Sequence, residues 1–248
     1  LPFSLFEPAR RQTRILLRPA AMIPLRDHNP RATFPFFTLL LILANVLLFF
    51  YELSLPAPAT ESLLFRYGMV PARVDLLFDD AGVTLRQAFA PLFTSIFLHA
   101  GWLHLIGNMW FLWVFGDNIE DRFGHLKFLF FYLFCGVGAG VIHTLANAGS
   151  TIPAVGASGA ISGILGAYIV LYPGARILTL IPLGFLFFTW RLPAIVMLGF
   201  WFVIQFVSGL ALLGAETSGG VAWWAHIGGF ALGVGVGLLA RSKSSTIS

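Results

Sequence analysis

A series of long apolar runs constrains this chain more than any other feature of its sequence. A helix that crosses a lipid bilayer needs about 20 predominantly apolar residues. Runs of this kind, or close to it in length, occupy residues 34–53, 102–115, 125–147, 155–172, 193–213 and 222–240. The sequence therefore predicts an all-α membrane protein with six transmembrane helices, which we number as segments one to six.

The composition agrees with burial in lipid. Of the 248 residues, 58% are hydrophobic and only 10% are charged, and the mean hydropathy is +0.85. A chain this apolar cannot cover a water-facing surface with polar groups. Its single cysteine, Cys135, excludes an internal disulfide and a cysteine-ligated zinc site.

The distribution of positive charge predicts how the chain is oriented. With six crossings both termini lie on one side, and twelve of the fifteen cationic residues fall there, whereas only Arg66, Arg73 and Arg86 fall on the other side. Cytoplasmic flanks are rich in Lys and Arg, so we expect a multi-pass membrane protein with both termini in the cytoplasm. The net charge of +4 then indicates contact with anionic lipid and not with nucleic acid.

Three regions follow from this arrangement. Residues 1–33 form a basic cytoplasmic segment, residues 34–241 the membrane domain and residues 242–248 a short cytoplasmic tail; the basic segment holds Arg10, Arg11, Arg14, Arg18, Arg26 and Arg31. Residues 54–98 form a long first outer loop, whose last part is apolar and is expected to be partly embedded in the membrane. The apolar run 177–189 is too short to span and contains Pro182, so we expect it to lie in the membrane interface.

Polar side chains gather at one level of three predicted helices. Segments two, four and six enter from the outer side, and near their starts lie His104 with Asn108, then Ser158, then His226. At 1.5 Å per residue each lies roughly 5–10 Å below the outer surface. Polar groups inside a bilayer are costly and usually face a packed interior or a watery cavity. The shared depth therefore predicts a polar site near the outer side.

Ser158 can be explained either by helix packing or by catalysis. A serine in a membrane helix usually bonds its own backbone or a neighbouring helix, and glycines at small-xxx-small spacing normally mark close packing. Such glycines lie in segment four (Gly159, Gly163, Gly166) and segment six (Gly229, Gly233, Gly237). Packing of these two segments would bring Ser158 within hydrogen-bond reach of His226, and a neutral histidine is the usual base for a serine nucleophile.

His104 and Asn108 are four residues apart and share one helix face. They either tie segment two to the outer loop or direct an imidazole and an amide at the negative oxygen of a tetrahedral intermediate. Every carboxylate lies in a flank, a loop or a helix end, and Glu216 is the only outer candidate near His226. The sequence therefore predicts a serine–histidine dyad without an acidic third member. No HExxH motif occurs, so no metal or cofactor is expected.

Three short motifs resemble those of the rhomboid family of intramembrane serine proteases. They are His104-xxx-Asn108 in segment two, GASGA at 156–160 in segment four and AHIGG at 225–229 in segment six. The resemblance covers about residues 33–241, is most similar to the six-helix bacterial form, and implies the rhomboid bundle as the fold.

The resemblance also implies a reaction. Ser158 would attack a peptide bond, and His226 would act as base and then as acid toward the leaving amine. His104, Asn108 and the backbone N–H of Ser158 would hold the oxyanion. The substrates would be transmembrane proteins cut in or near their membrane segment, and segment five at 198–206 resembles the lateral access route proposed for the family.

Two positions depart from the family pattern. Many relatives carry a Trp-Arg pair in the first outer loop, whereas this chain has FAPLFTS at 89–95. Relatives also often carry an aromatic residue four positions after the nucleophile, where this chain has Ser162. The sequence therefore gives no explanation of how the His226 ring is held.

Two other classes of function remain as alternatives. One is a non-catalytic rhomboid-like protein that binds membrane clients, although such relatives usually lose the serine or the histidine. The other is a small transporter, although transporters commonly show repeated halves around a midplane site. The two halves of this sequence show no repeat.

Overall fold

The computed structural model describes residues 22–77, 82–183, 186–211 and 222–244. Its helices are α1 (Phe36–Ser54), α2 (Ala57–Tyr67), α3 (Ala72–Asp75), α4 (Leu85–Phe89), α5 (Pro91–Thr94), α6 (Trp102–Phe123), α7 (His125–Ala146), α8 (Ser158–Leu171), α9 (Ala194–Ala211) and α10 (Trp223–Ser244), with a 3-10 turn at Ser95–Phe97. Its strands are β1 (Ile23–Asp27), β2 (Arg176–Leu183) and β3 (Leu186–Pro193).

Several of these helices can cross a bilayer. Among the described residues, four helices (α1, α7, α9 and α10) are long and apolar enough, and a fifth candidate is the pair Leu85–Phe97 and Trp102–Phe123, which is bent by 75°. Helix α8 has only 14 residues, about 21 Å at 1.5 Å per residue. The protein is thus a helical membrane protein, and the count of six crossings stays a prediction.

Helix α8 lies at the centre of the bundle. Ten consecutive residues of this helix are buried, from Gly159 to Tyr168. Because other helices surround it, α8 contacts protein instead of lipid and its length need not match the full thickness of the bilayer.

Glycine contacts join α8 to α10, as the spacing of the glycines predicted. A side chain built at Gly229 would collide with the carbonyl oxygen of Gly159, and one built at Gly233 would collide with that of Gly163. The backbones of the two helices therefore touch, which is the geometry that small residues permit in membrane proteins.

The first long loop folds into short helices that reach the start of α8. Helix α4 begins with a capping box in which Thr84 and Gln87 satisfy each other's backbone N–H groups. Met69 and Ala154 form a two-way backbone bridge, with N···O distances of 2.9 and 2.8 Å. The backbone N–H of Gly156 donates to the carbonyl of Ser95 (2.8 Å). These bonds fix the chain just before Ser158.

Glu120 anchors the start of α1 to the end of α6. Its fully buried carboxylate accepts hydrogen bonds from the backbone N–H groups of Phe37 and Thr38 (both 2.8 Å) and from the Thr38 hydroxyl (2.7 Å). A negative charge at a helix N-terminus is favourable because the N–H groups there lack partners. Segment two was predicted to end near residue 115, but the helix continues to Phe123, so this carboxylate can face α1.

A three-stranded antiparallel sheet, in the order β1-β2-β3, was not predicted. Its first strand comes from the basic N-terminal segment, and β2 and β3 form a hairpin that contains the apolar run 177–189. The exposed large apolar side chains of β3 are Leu186, Phe187, Phe188 and Trp190. The run is thus a strand pair, and its location in the membrane interface stays a prediction.

Some predicted features lie outside the described residues. These are Arg10, Arg11, Arg14 and Arg18 of the basic segment, Glu216, and residues 245–248 of the tail. The proposed division at residues 33 and 242 is likewise a prediction.

Candidate active site

Ser158 is the first residue of α8, and the backbone before it has an unusual shape. Gly156 has a φ of +120°, a conformation that residues with a side chain rarely adopt. A side chain at Gly156 would also lie 2.6 Å from the His104 ring. This glycine therefore allows the chain to turn sharply into α8 while passing beside the imidazole. The hydroxyl of Ser158 is consequently carried by the start of a buried helix.

The face of α10 that carries His226 lies against the start of α8. A side chain built at Gly159, the residue after Ser158, would lie 3.7 Å from the carbonyl oxygen of Ala225, the residue before His226. Gly229, one turn after His226, touches the Gly159 carbonyl. Ser158 and His226 are therefore neighbours across this helix contact. No hydrogen bond joins their side chains within the part of the chain that the structure describes.

His226 has a partner on α9. Its Nδ1 lies 2.6 Å from Oε1 of Gln205, and both side chains are buried, with exposed fractions of 9% and 7%. The Trp201 and Trp223 rings flank the imidazole at centroid distances of 6.0 and 6.3 Å. The ring is therefore held from the α9 side.

His104 and Asn108 face the same glycine before Ser158. A Cβ atom built on Gly156 would lie 2.6 Å from His104 Nε2 and 3.4 Å from Asn108 Nδ2. Two N–H-bearing groups of α6 therefore lie beside the backbone that leads into α8. This arrangement is the one expected of donors that serve an oxygen near Ser158.

A buried chain of contacts supports Asn108. Its Nδ2 lies 3.0 Å from Nε2 of His99 and donates to that nitrogen when it carries no hydrogen. The backbone N–H of His99 faces the carboxylate of Glu52 at 3.3 and 3.4 Å, and Glu52 is only 3% exposed. The amide of Asn108 is therefore oriented, and its second N–H remains available for another acceptor.

A small cavity lies beside Ser158. Its volume is about 30 Å³, and its lining includes Ser95, His143, Ser158 and Ala225. A cavity needs roughly 10–15 Å³ to hold one water molecule, which also requires polar partners. Two hydroxyls and an imidazole line this space, so it can accommodate one or two waters next to the serine.

Two polar residues of this region were not predicted from the sequence. Gln205 lies within the stretch 198–206, and an amide in a membrane helix is a signal in itself. His99 contacts Asn108, and its ring lies 5.2 Å from that of His104.

Ser162 and Cys135 have simple structural explanations. Ser162 donates to the carbonyl oxygen of Ser158 (2.7 Å), which is the backbone bond expected of a serine in a membrane helix. Cys135 is fully buried and packs against Gly163. Within the described residues, no group of three His, Cys, Asp or Glu side chains could hold a metal ion.

Comparison with known proteins points to one family. The family model of the Rhomboid domain matches residues 86–243. The chain is 32% identical to RHOMBOID-like protein 5 of Arabidopsis thaliana over 147 residues, which are 52% of this chain and 48% of that protein. It is 29% identical to the mitochondrial presenilin-associated rhomboid-like protein of Mus musculus over 189 residues, 71% of this chain and 45% of that protein.

A bacterial protein is also similar. The chain is 31% identical to the rhomboid protease GluP of Bacillus subtilis over 151 residues, 60% of this chain and 27% of that protein. In each of these three comparisons the match spans less than half of the relative's length.

Proposed function

The chain belongs to the rhomboid family, and on that premise we propose that it is an intramembrane serine endopeptidase. Its substrates are transmembrane proteins, which it cleaves in or near their membrane segment. The observation that carries the proposal is the convergence of three helices at the start of α8, where Ser158, His226 and the α6 pair His104 and Asn108 lie around Gly156 and Gly159.

Each side chain has a role in peptide-bond hydrolysis. His226 would present Nε2 to Ser158, because its Nδ1 is engaged with Gln205. The imidazole takes the hydroxyl proton as Ser158 Oγ attacks the carbonyl carbon, and it then gives that proton to the leaving amine. The product of this first half is an ester between Ser158 and the substrate's acyl group.

Three donors can stabilise the negative oxygen of the intermediate. The backbone N–H of Ser158 lies in the first turn of α8, where N–H groups have no partner within the helix. The second N–H of Asn108 and the His104 ring complete the set. Removing one such donor in a serine protease costs about 10²–10³ in kcat.

Hydrolysis of the ester requires water beside Ser158. The cavity of about 30 Å³ can store a water beside Ser158, but its lining does not include His226, so that water would have to move toward the imidazole before it reacts. His226 would activate the water in the same way as it activates the serine, and the proton then returns to Ser158 Oγ as the ester bond breaks.

The location follows from the same reasoning. The family and the apolar helices make this an integral membrane protein. We place both termini in the cytoplasm and the site toward the outer side because of the uneven distribution of Lys and Arg. We place this multi-pass protein in a bacterial inner membrane because its motifs resemble those of the six-helix bacterial form. Lipid and membrane-protein substrates are its partners.

A second candidate is a non-catalytic rhomboid-like protein that binds membrane clients. The observation that favours it is the missing hydrogen bond between Ser158 and His226 within the described residues. Apo active sites often show such pairs at longer distance than in the reacting complex, so we rank this candidate second.

Covalent labelling separates the two candidates. The purified protein in liposomes is treated with a fluorescent fluorophosphonate, and the modified residue is located by peptide mass spectrometry. The protease proposal expects labelling on Ser158 that is lost in Ser158→Ala and strongly reduced in His226→Ala, while Cys135→Ala labels normally. A folded protein that takes no label would favour the client-binding candidate.

A further inference from the structure

Gln205 places a polar amide in the largely apolar helix α9. Among the 18 residues of α9, the other polar side chain is that of Ser208. An uncompensated amide in a membrane helix costs free energy, whereas a leucine at this position would pack without that cost. Burial of Gln205 to 7% exposure therefore calls for a partner, and the partner is His226 at 2.6 Å.

The chemistry of imidazole explains what this contact does. A neutral imidazole carries one hydrogen on either Nδ1 or Nε2. Only the form with the hydrogen on Nδ1 leaves Nε2 able to accept a proton from a serine. In the structure the oxygen of the Gln205 amide, and not its NH2 group, faces Nδ1. An oxygen accepts a hydrogen bond from that form alone, so this orientation of the amide selects it.

We propose that Gln205 is a positioning residue that orients the His226 ring and fixes its tautomer, in the place of the missing acidic third member. This inference rests on the proposed protease function. It also accounts for the departure at Ser162, because the ring is held by Gln205 and Trp201 of α9, with Trp223 of its own helix α10 on another side, instead of by an aromatic residue on α8.

The placement of Gln205 links the position of α9 to the state of His226. Helix α9 exposes large apolar side chains along its length, including Ile195, Val203 and Val207. One ring pair, Phe202 on α9 and Phe230 on α10, stacks at 4.5 Å between centroids. Gln205 follows Phe202 by one helical turn. Displacement of α9 from α10 therefore removes the acceptor from His226.

Three variants of Gln205 test the proposal. Leucine and methionine remove the acceptor, and methionine keeps the unbranched shape. Gln205→Glu keeps an oxygen at the same distance, which accepts from Nδ1 whether or not the carboxyl is ionised. Ser208→Ala is the matched control on the same helix.

Kinetics give the first measurement. A correctly placed general base contributes about 10²–10⁴-fold to the rate, and a misoriented imidazole loses part of that contribution. We therefore expect kcat to fall by about 10- to 100-fold in Gln205→Leu and Gln205→Met. KM should change little, since Gln205 acts through His226 and not on the substrate. Gln205→Glu should recover most of kcat. Equal kcat in wild type, the three Gln205 variants and the Ser208→Ala control would overturn the proposal.

A double-mutant cycle tests the link to α9. Phe202→Ala removes the ring stack with Phe230 and is made both in wild type and in the Gln205→Leu variant. If Phe202 and Gln205 act together, Phe202→Ala lowers kcat much less in the Gln205→Leu variant than in wild type. Additive losses would show that α9 does not act on catalysis through Gln205.

The tautomer itself is the decisive measurement, because it does not depend on activity. Protein labelled with ¹⁵N-histidine is reconstituted in lipid, and the His226 signals are assigned by their absence in His226→Gln. Wild type should show a protonated Nδ1 and an unprotonated Nε2, whereas Gln205→Leu should show a mixture of both tautomers. An unchanged spectrum in Gln205→Leu would overturn the inference even if wild type is an active protease. A fixed tautomer in a wild type that cleaves nothing would instead contradict the protease proposal and leave the positioning role standing.

Discussion

Gly229 of α10 has no room for a side chain, because the carbonyl oxygen of Gly159 on α8 occupies that space. This contact lies one residue from Ser158 on α8 and one turn from His226 on α10. The alignment of Ser158 with His226 is therefore set by backbone contact between two helices and not by a hydrogen bond between the two described side chains.

Gly229→Ala should reduce both stability and activity. The added methyl group cannot fit without pushing α10 away from α8, and overpacking of this kind typically costs about 1–3 kcal/mol. We expect a lower thermal unfolding temperature in detergent and a kcat reduced by more than tenfold.

The matched control is Gly235→Ala on the same helix, where a methyl group meets nothing within 4 Å. It should retain activity and unfold at the same or a higher temperature, since alanine is the better helix former. If both alanines behaved alike, close contact between α8 and α10 would not be what aligns the site.

Asn108→Ala should lower kcat by about 10²–10³ with a small effect on KM, as expected for loss of a donor used only in the transition state. Ile106→Ala, a lipid-exposed position two residues earlier, serves as the control for general damage to α6. A kcat within threefold of wild type in Asn108→Ala would remove Asn108 from the oxyanion site.

Asp27 on β1 should make stability depend on pH. Its carboxylate accepts hydrogen bonds from the Tyr168 hydroxyl (2.7 Å) and the Asn118 amide (2.9 Å). Burial raises the pKa of Asp27 from 3.8 to about 6, against the lowering effect of the Tyr168 hydrogen bond, and the charge of Asp117 adds to the rise.

The folded protein holds the proton of the Asp27 carboxyl group more tightly than the unfolded chain does. Protonation of Asp27 therefore stabilises the folded state fully below pH 3.8, and this stabilisation is lost as the pH rises through about 6. Unfolding temperatures measured between pH 4 and pH 7.5 should therefore fall less in Asp27→Asn than in wild type over this window. Parallel pH profiles of the two proteins would contradict the assignment.

The β2–β3 hairpin should lie in the membrane interface. Its exposed Phe187, Phe188 and Trp190, with Arg191 beside them, form the mixture of aromatic and cationic side chains typical of that zone. A spin label at Phe187→Cys in the Cys135→Ala background should be relaxed more by oxygen than by a water-soluble nickel chelate. A control label at Glu61→Cys on α2 should be relaxed more by the nickel chelate than by oxygen. The same result at Phe187→Cys would place the hairpin in water.

The sequence located the long helices well because lipid imposes a single strong requirement on them. Starts and ends at α1, α7 and α10 agree with the predicted segments within a few residues. The glycine spacing also predicted the α8–α10 contact correctly. Both features depend on local pattern alone.

Other features depend on partners that are distant in the chain. The sheet needs β1, which pairs with a strand about 150 residues later, and no local pattern specifies that pairing. The last turns of α6 carry Glu120, whose hydrogen-bond partners lie on α1, and no local pattern specifies that contact. Gln205 could have been noticed as a lone amide, but only the tertiary structure shows that it faces His226.

The central claim is that Ser158 and His226 cleave peptide bonds within the membrane. The most direct test measures cleavage of a labelled transmembrane substrate in liposomes by wild type, Ser158→Ala, His226→Ala and Cys135→Ala. We predict cleavage by wild type and Cys135→Ala, with the product ends within or beside the substrate's membrane segment, and none by the other two. Equal cleavage by Ser158→Ala and wild type would contradict the account.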